Sequence, residues 1–222
     1  MMKNMILAVP VLIIVSTILA FAGGNPSGRS HSFSDVESYA KRMDGPRRAS
    51  WQKPDEVLKI LALKKGDHVA DVGAGTGYFA RRFARAVGPE GSVTGYDTEK
   101  NMVEYMRKDA KKLGLDNYHA ETVSGKNPVY PENRFDVIFM CNTYHHIEDA
   151  DRVALLRALG KALKGKGRIV ILDHKMTAPY GPPKHLRIKK ERAIGEFTKA
   201  GFVLLKDEDF LPEQYYLEFR KK

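Results

Sequence analysis

Three glycines, Gly73, Gly75 and Gly77, stand at alternate positions in VADVGAGTGYF, directly behind an apolar run that carries Asp71. A backbone this bare turns tightly and lets a ligand approach the chain closely, which suits a nucleotide or nucleoside. At the end of SVTGYD stands Asp97. A carboxylate there can accept hydrogen bonds from both hydroxyls of a ribose. Further on, His145 and His146 follow FDVIFMC, and histidine titrates near neutral pH, where a general base must work. The single cysteine, Cys141, and the scattered histidines give no metal-ligand spacing, so no metal site is expected.

These groups need a scaffold that brings strand ends together. HVADV, SVTGYD, YHAETV, FDVIFMC and GRIVILD read as strands, separated for the most part by helices across YFARRFARAV, NMVEYMRKDAKKLG and ADRVALLRALGKAL, with ERAIGEFTKAG following the last. Strands alternating with helices of this length form βαβ units and a parallel sheet. The runs VIFM and RIVIL are continuously apolar, as strands buried on both faces are. The tail departs from the alternation, because LPE between FVLLKDEDF and QYYLEFR is too short for a crossover helix, so these two strands must pair antiparallel. The expected fold is α/β: a doubly wound, Rossmann-like, mostly parallel seven-stranded sheet with an antiparallel C-terminal hairpin. Ahead of it, SFSDVESYAKRM reads as a short helix, and Pro54 opens a second, in which Val57, Leu58, Ile60 and Leu61 make one apolar face.

A dinucleotide fingerprint would place glycine or alanine at a third position, GxGxxG/A, and Tyr78 stands there instead. The glycines run GxGxG through Gly77, with Asp71 two residues ahead of the first. This resembles the first motif of class I S-adenosylmethionine-dependent methyltransferases, Asp/Glu-x-Gly-x-Gly-x-Gly, and the resemblance extends from about Trp51 through the terminal hairpin. RFDVIFMCNTYHHIED is similar to the fourth-strand motif of the branch that includes quinone-biosynthesis methyltransferases. The resemblance implies a methyltransferase enzyme with S-adenosylmethionine as cofactor. It places Asp71, Gly73, Gly75 and Gly77 beside the methionine part, Asp97 on the ribose, Thr98 beside the adenine, and Asn142 near the cofactor at the strand's end. Members of that branch commonly carry Gly-Asp-Ala after the third strand, whereas Val123, Ser124 and Gly125 occupy those places here, leaving Ser124 to accept a hydrogen bond from the adenine amino group.

Methyl transfer from a sulfonium is an in-line displacement, so the protein mainly aligns the acceptor and excludes water. A base is needed only where the acceptor must lose a proton, and His145 and His146 are the candidates. Trp51, Tyr144 and Tyr215 are the aromatic residues placed to wall an acceptor pocket. His174 follows the fifth strand, and His185 lies in the loop APYGPPKHLRI, expected to close over the acceptor side. The expected acceptor is small or lipophilic. Two other readings are a domain that holds the nucleoside without turnover and a nucleic-acid methyltransferase. The base-methylating motif Asn/Asp-Pro-Pro-Tyr/Phe is absent, since Asn142 is followed by Thr143, Tyr144 and His145.

The 222 residues, 43% of them hydrophobic, suffice for one domain with a real core plus an appendage. The net charge of +10 is spread through RRFAR, RKDAKK, KALKGKGR and RIKKER, which reads as a solvated surface ahead of a membrane-surface role, with nucleic acid disfavoured. At the front, Lys3, an apolar run over 5–22 and Ala20-Phe21-Ala22 have the layout of a secretory signal or an uncleaved anchor. The expected organisation is a signal peptide or membrane anchor at 1–22, a linker at 23–32 and the methyltransferase domain at 33–222. The expected location is accordingly exported (periplasmic or extracellular) or membrane-anchored through residues 5–22, although S-adenosylmethionine is made in the cytoplasm and an exported enzyme would need a supply.

Overall fold

The computed structural model describes residues 36–222, so the expectations for 1–22 and 23–32 lie outside the described residues. In chain order the elements are α1 (Val36–Met43), α2 (Pro46–Gln52), α3 (Pro54–Leu61), β1 (His68–Val72), α4 (Ala80–Val87), β2 (Ser92–Asp97) and α5 (Lys100–Leu113). They continue with β3 (Tyr118–Thr122), β4 (Phe135–Cys141), α6 (Arg152–Ala162), β5 (Leu163–His174), α7 (Lys190–Lys199), β6 (Phe202–Glu208) and β7 (Gln214–Lys221). The strands form one seven-stranded sheet in the order β3-β2-β1-β4-β5-β7-β6. β1 to β5 run parallel, and β7 lies antiparallel between β5 and β6, the fold class expected from the sequence. The strand order reverses between β1 and β4, which opens a crevice at their carboxyl ends.

Two elements differ from the sequence reading. A separate helix, α2, occupies Pro46–Gln52, started by Pro46 and ended by Lys53 in the left-handed conformation, φ 44°. Pro54 excludes the right-handed helical region for the residue before it, so α2 and α3 cannot be continuous. β5 begins at Leu163 rather than at Gly167, because Leu163 pairs with Phe135 across an irregularity in β4 before the regular ladder resumes at Val137 and Arg168.

Alternate residues of the central strands feed two cores. Ile138, Met140, Ile169 and Ile171 pack with Leu156, Leu159, Phe197 and Phe202 of one helical layer. On the other face Val137, Phe139, Val170 and Leu172 pack with Val57, Phe83 and Met106. The same alternation decides the site: Asp71, Cys141 and His174 continue the second set at the strand ends, whereas Asp173 continues the first.

The turn after β4 is anchored by charge as well as by packing. Tyr144 is fully buried and its hydroxyl donates to Glu196 Oε2 of α7 at 2.6 Å. Arg152, 2% exposed, donates to Glu196 Oε1 at 3.1 Å and pairs with Asp149. Removing one member of a buried pair strands the other charge. Glu196→Ala is expected to destabilise the protein by about 3 kcal/mol, a fall in Tm of roughly 6 to 12 °C by calorimetry, whereas Arg192→Ala, which removes a half-exposed partner of the same carboxylate, should cost under about 1 kcal/mol.

Candidate cofactor and acceptor site

The glycine loop leaves β1 and closes back on β2. The N–H groups of Gly73 and Ala74 both donate to the Tyr96 carbonyl, at 2.8 and 3.1 Å, and that of Gly77 donates to the Ala74 carbonyl at 2.9 Å. Gly75 N–H donates to Asp97 Oδ2 at 2.8 Å, while Glu99 N–H donates to Asp97 Oδ1 at 3.0 Å. Burial raises the Asp97 carboxyl above its ordinary range, and the N–H groups of Glu99, Gly75 and Thr98 offset part of that rise. With the N–H groups of Gly73, Ala74, Gly75 and Gly77 spent internally, the loop has little to offer a pyrophosphate.

The three glycines differ in what their missing side chains make room for. A Cβ on Gly73 would stand 2.3 Å from Thr143 Cγ2, and one on Gly77 would stand 1.8 Å from the Tyr118 hydroxyl, so those two spaces belong to the protein. Gly75, with φ +55°, faces open space within 4 Å. Its backbone is left open to a ligand. Tyr78 is buried between the guanidinium groups of Arg48 and Arg82, each 3.9 Å from its ring centroid, and fills the position that a dinucleotide motif keeps empty. Beneath the loop Asp71 is 3% exposed. Burial pushes its carboxyl up to about 7, against the pull of Arg48 and the Ala80 N–H. A buried carboxylate under the loop disfavours an anion and favours a cation. Diol acceptor at Asp97, bare backbone at Gly75 and carboxylate at Asp71 together fit a cationic nucleoside such as S-adenosylmethionine. Beyond Asp97, Thr98 is exposed and its Cγ2 lies 3.6 Å from where a Gly125 Cβ would be, which places the Ser124–Gly125 turn beside it. Ser124 Oγ donates to the Lys126 carbonyl at 2.6 Å.

α2 lies across the strand ends and joins the two halves of the site. Asp44, just ahead of it, accepts from Thr76 Oγ1 at 2.7 Å and from Arg81 Nη1 at 2.9 Å. One turn on from Arg48, Trp51 is half-buried with its ring centroid 6.0 Å from that of His174. Next to it the fully buried Gln52 donates to Gln214 Oε1 at 2.9 Å, and Gln214 donates to Asn142 Oδ1 at 2.6 Å. Asn142 holds φ 56° at the end of β4, a conformation asparagine tolerates better than most residues. Gln52, Gln214 and Asp44 carried no signal in the sequence, since Gln52 and Gln214 are 162 residues apart.

The histidines separate by environment. His145 is buried; its backbone N–H donates to Asp173 Oδ2 at 3.0 Å, and its Nδ1 is 2.7 Å from Asp173 Oδ1. Burial alone would raise the Asp173 carboxyl, but the hydrogen bond and charge of His145 bring it below its usual value. His146 and His185 are exposed, the latter in the short turn Lys184–Leu186. Tyr144 points to Glu196 and is not brought to the Trp51 edge. Tyr215 pairs with Asp173 in the β5–β7 ladder and lines a cavity of about 280 Å³ with Lys175, Met176, Ile188 and Asp207. The loop after β5 is pinned by one guanidinium, with Arg187 donating to the carbonyls of Pro182, Lys175, Ala178 and Tyr180 at 2.8, 3.1, 2.7 and 3.2 Å.

Residues 63–202 match the model of a family described as a methyltransferase domain. The demethylmenaquinone methyltransferase of Listeria welshimeri is 31% identical over 123 residues, 55% of this chain and 50% of that protein. The ubiquinone/menaquinone biosynthesis C-methyltransferase UbiE of Pasteurella multocida is 30% identical over 118 residues, 53% of this chain and 43% of that protein. The chain thus spans about half the length of the curated relatives it matches. The crystal structure of a SAM-dependent methyltransferase from Aquifex aeolicus superposes with a TM-score of 0.74 at 27% identity, covering 86% of this chain and 98% of that one. The expectation of an exported or membrane-anchored protein does not stand beside these relatives, which are methyltransferases of quinone biosynthesis by name. Among the described residues no helix is long and apolar enough to cross a membrane.

Asp71 gives a pH test. Its folded value near 7 lies above the ordinary 3.8, so the ligand-free protein loses stability as pH rises from the ordinary value through about 7, where the buried carboxyl must ionise. A cation bound beside it favours the ionised form, so S-adenosylmethionine should bind several-fold more tightly as pH rises through about 7, and Asp71→Asn should flatten that slope. Calorimetric titration across that range checks this, and a flat profile for the unaltered protein would contradict it.

Proposed function

We propose that this chain, which belongs to the methyltransferase-domain family and takes S-adenosylmethionine as its cofactor, methylates a small, flat, lipophilic acceptor of the quinol type. The observation that carries the reading is the open face at Gly75, flanked by Asp97 and underlain by Asp71. On this reading Asp71, Gly73, Gly75, Gly77 and Asn142 hold the methionine end, Asp97 takes the ribose, and Thr98 and Ser124 border the adenine. Residues 33–222 constitute the enzyme domain. The bound cofactor supplies a methyl group on a sulfonium, already activated for displacement.

The protein's share is alignment and exclusion of water. Trp51 provides a flat apolar roof over the ends of β4 and β5, and the Gln52–Gln214–Asn142 chain ties that roof to the strands below. His145 has its ring orientation set by Asp173, which makes it better placed than the exposed His146 to take a proton from the acceptor. The acceptor class is supported by the names of the relatives and by the aromatic edge at Trp51. A flat ring is what such an edge accommodates.

The test is anaerobic incubation with methyl-labelled S-adenosylmethionine and a reduced short-chain naphthoquinone. Label is expected in a solvent-extractable product. Label confined to water-soluble products formed from a cell extract would refute the lipophilic acceptor, and cofactor binding without transfer to any acceptor would favour a nucleoside-binding domain without turnover.

A further inference from the structure

The polar groups at the acceptor edge can be accounted for one by one. Asp173 is engaged through both oxygens, its Oδ1 accepting from the His174 N–H at 2.7 Å as well as meeting His145 Nδ1, and its Oδ2 accepting from the His145 N–H. Asn142 Oδ1 and Gln214 Oε1 are taken within the chain that leads to Gln52. Among the described residues, two buried polar atoms on β5 and its neighbour β7 are left without a partner, His174 Nδ1 and the Tyr215 hydroxyl. They point to opposite faces. Tyr215 belongs to the core beside Tyr144 and Phe197, whereas His174 continues the face of Leu172 and Cys141, under Trp51.

A buried imidazole with an empty hydrogen-bonding position costs free energy unless something fills it in another state. The surroundings of His174 describe that occupant. Its ring lies beneath the only tryptophan of the chain, at 6.0 Å and an interplanar angle of 30°. Its other cover is Gly181, whose Cβ, were there one, would stand 2.6 Å from Nδ1. Only a glycine at φ +112° can lie there, and Gly181 is itself exposed on the loop that Arg187 pins. The cover is thus thin, a single main-chain turn, and the groups facing the ring are Asp173, His145 and Arg187. Burial lowers His174 to about 4, with His145 and Arg187 adding to the effect and Asp173 opposing it, so the ring is neutral at pH 7; its Nε2–H tautomer is the one that would present a lone pair at Nδ1.

We propose that His174 recognises a hydroxyl group of the acceptor, accepting its hydrogen bond at Nδ1 once the Gly181 turn moves aside, with the acceptor's flat ring against Trp51. This rests on the acceptor side of the proposed function and makes His174 a specificity-determining residue: the acceptor must carry a hydroxyl on an aromatic ring. The hydroxyl of a quinol meets that requirement and its methyl ether does not.

Trp51 supplies a readout independent of methyl transfer, since it is the only tryptophan and lies over the proposed contact. Quenching of its fluorescence is to be titrated anaerobically, in the presence of S-adenosylhomocysteine, with 1,4-dihydroxynaphthalene and with 1,4-dimethoxynaphthalene. The dihydroxy compound is expected to bind about tenfold or more tightly than the dimethoxy compound, and His174→Phe, which keeps an aromatic ring under Trp51, should abolish that preference while leaving S-adenosylhomocysteine affinity within about twofold. His174→Asn, a smaller residue, serves the same purpose should the phenylalanine variant fail to fold. A preference unchanged in the variants, or no quenching of Trp51 by either compound, overturns the proposal. Retained hydroxyl preference in the unaltered protein without any methyl transfer would instead count against the proposed function and leave the hydroxyl contact standing.

Discussion

One hydrogen bond organises the site, that from the Gly75 N–H to Asp97 Oδ2 at 2.8 Å. It ties the loop after β1 to the end of β2, so the carboxylate that fixes the loop's shape is the one proposed to take the ribose diol. The N–H groups of Gly73, Ala74 and Gly77 are spent on the carbonyls of Tyr96 and Ala74. What remains facing outward is bare backbone at Gly75, over a buried acid. Electrostatics then selects the ligand. A polyanion would meet Asp71 without compensating donors, whereas a cationic nucleoside meets a carboxylate at one end and a diol acceptor at the other.

The rest of the structure holds that arrangement in register. Thr143, at the end of β4, fills the space left by the missing side chain of Gly73, and Tyr118 of β3 fills the space left by Gly77. Two glycines of the loop thus let neighbouring segments approach it, and the third, Gly75, stays open. α2 completes the enclosure through polar contacts, by Asp44 to Thr76 and Arg81, by Arg48 stacked on Tyr78, and by Gln52 to Gln214. Such contacts fix the orientation of the segment over the strand ends at little net gain in stability.

The mostly parallel seven-stranded sheet, the terminal hairpin and the strand-end placement of Asp71, Asp97 and Asn142 were legible in the sequence because each rests on local pattern: alternation of elements, apolar runs and one short connection. The glycine spacing was legible as a loop, but not the division of labour within it, since Thr143 and Tyr118 arrive from distant strands. α2 was hidden for a different reason. PRRASWQ lacks an apolar stripe, and only its first residue, Pro46, and Pro54 beyond its end mark its limits. The roles of the histidines depended on alternation across β5, which turns Asp173 to His145 and leaves His174 on the face of Trp51. The apolar run at the front is where sequence reasoning went furthest astray, because its layout suggested export for a chain whose relatives are quinone-biosynthesis methyltransferases by name.

The central claim is that the open side of Gly75 is the cofactor's place, and Gly75→Asn tests it directly. Asparagine tolerates the left-handed conformation found there, φ +55°, and its Cβ would meet no protein atom within 4 Å, so the fold should survive with Tm nearly unchanged. Its side chain would occupy the space in question. Calorimetric titration with S-adenosylhomocysteine should then show binding to the unaltered protein and at least about a hundredfold loss in the variant, roughly 2.7 kcal/mol. Equal affinity in both proteins would mean that the cofactor lies elsewhere, and the account of the site would be wrong.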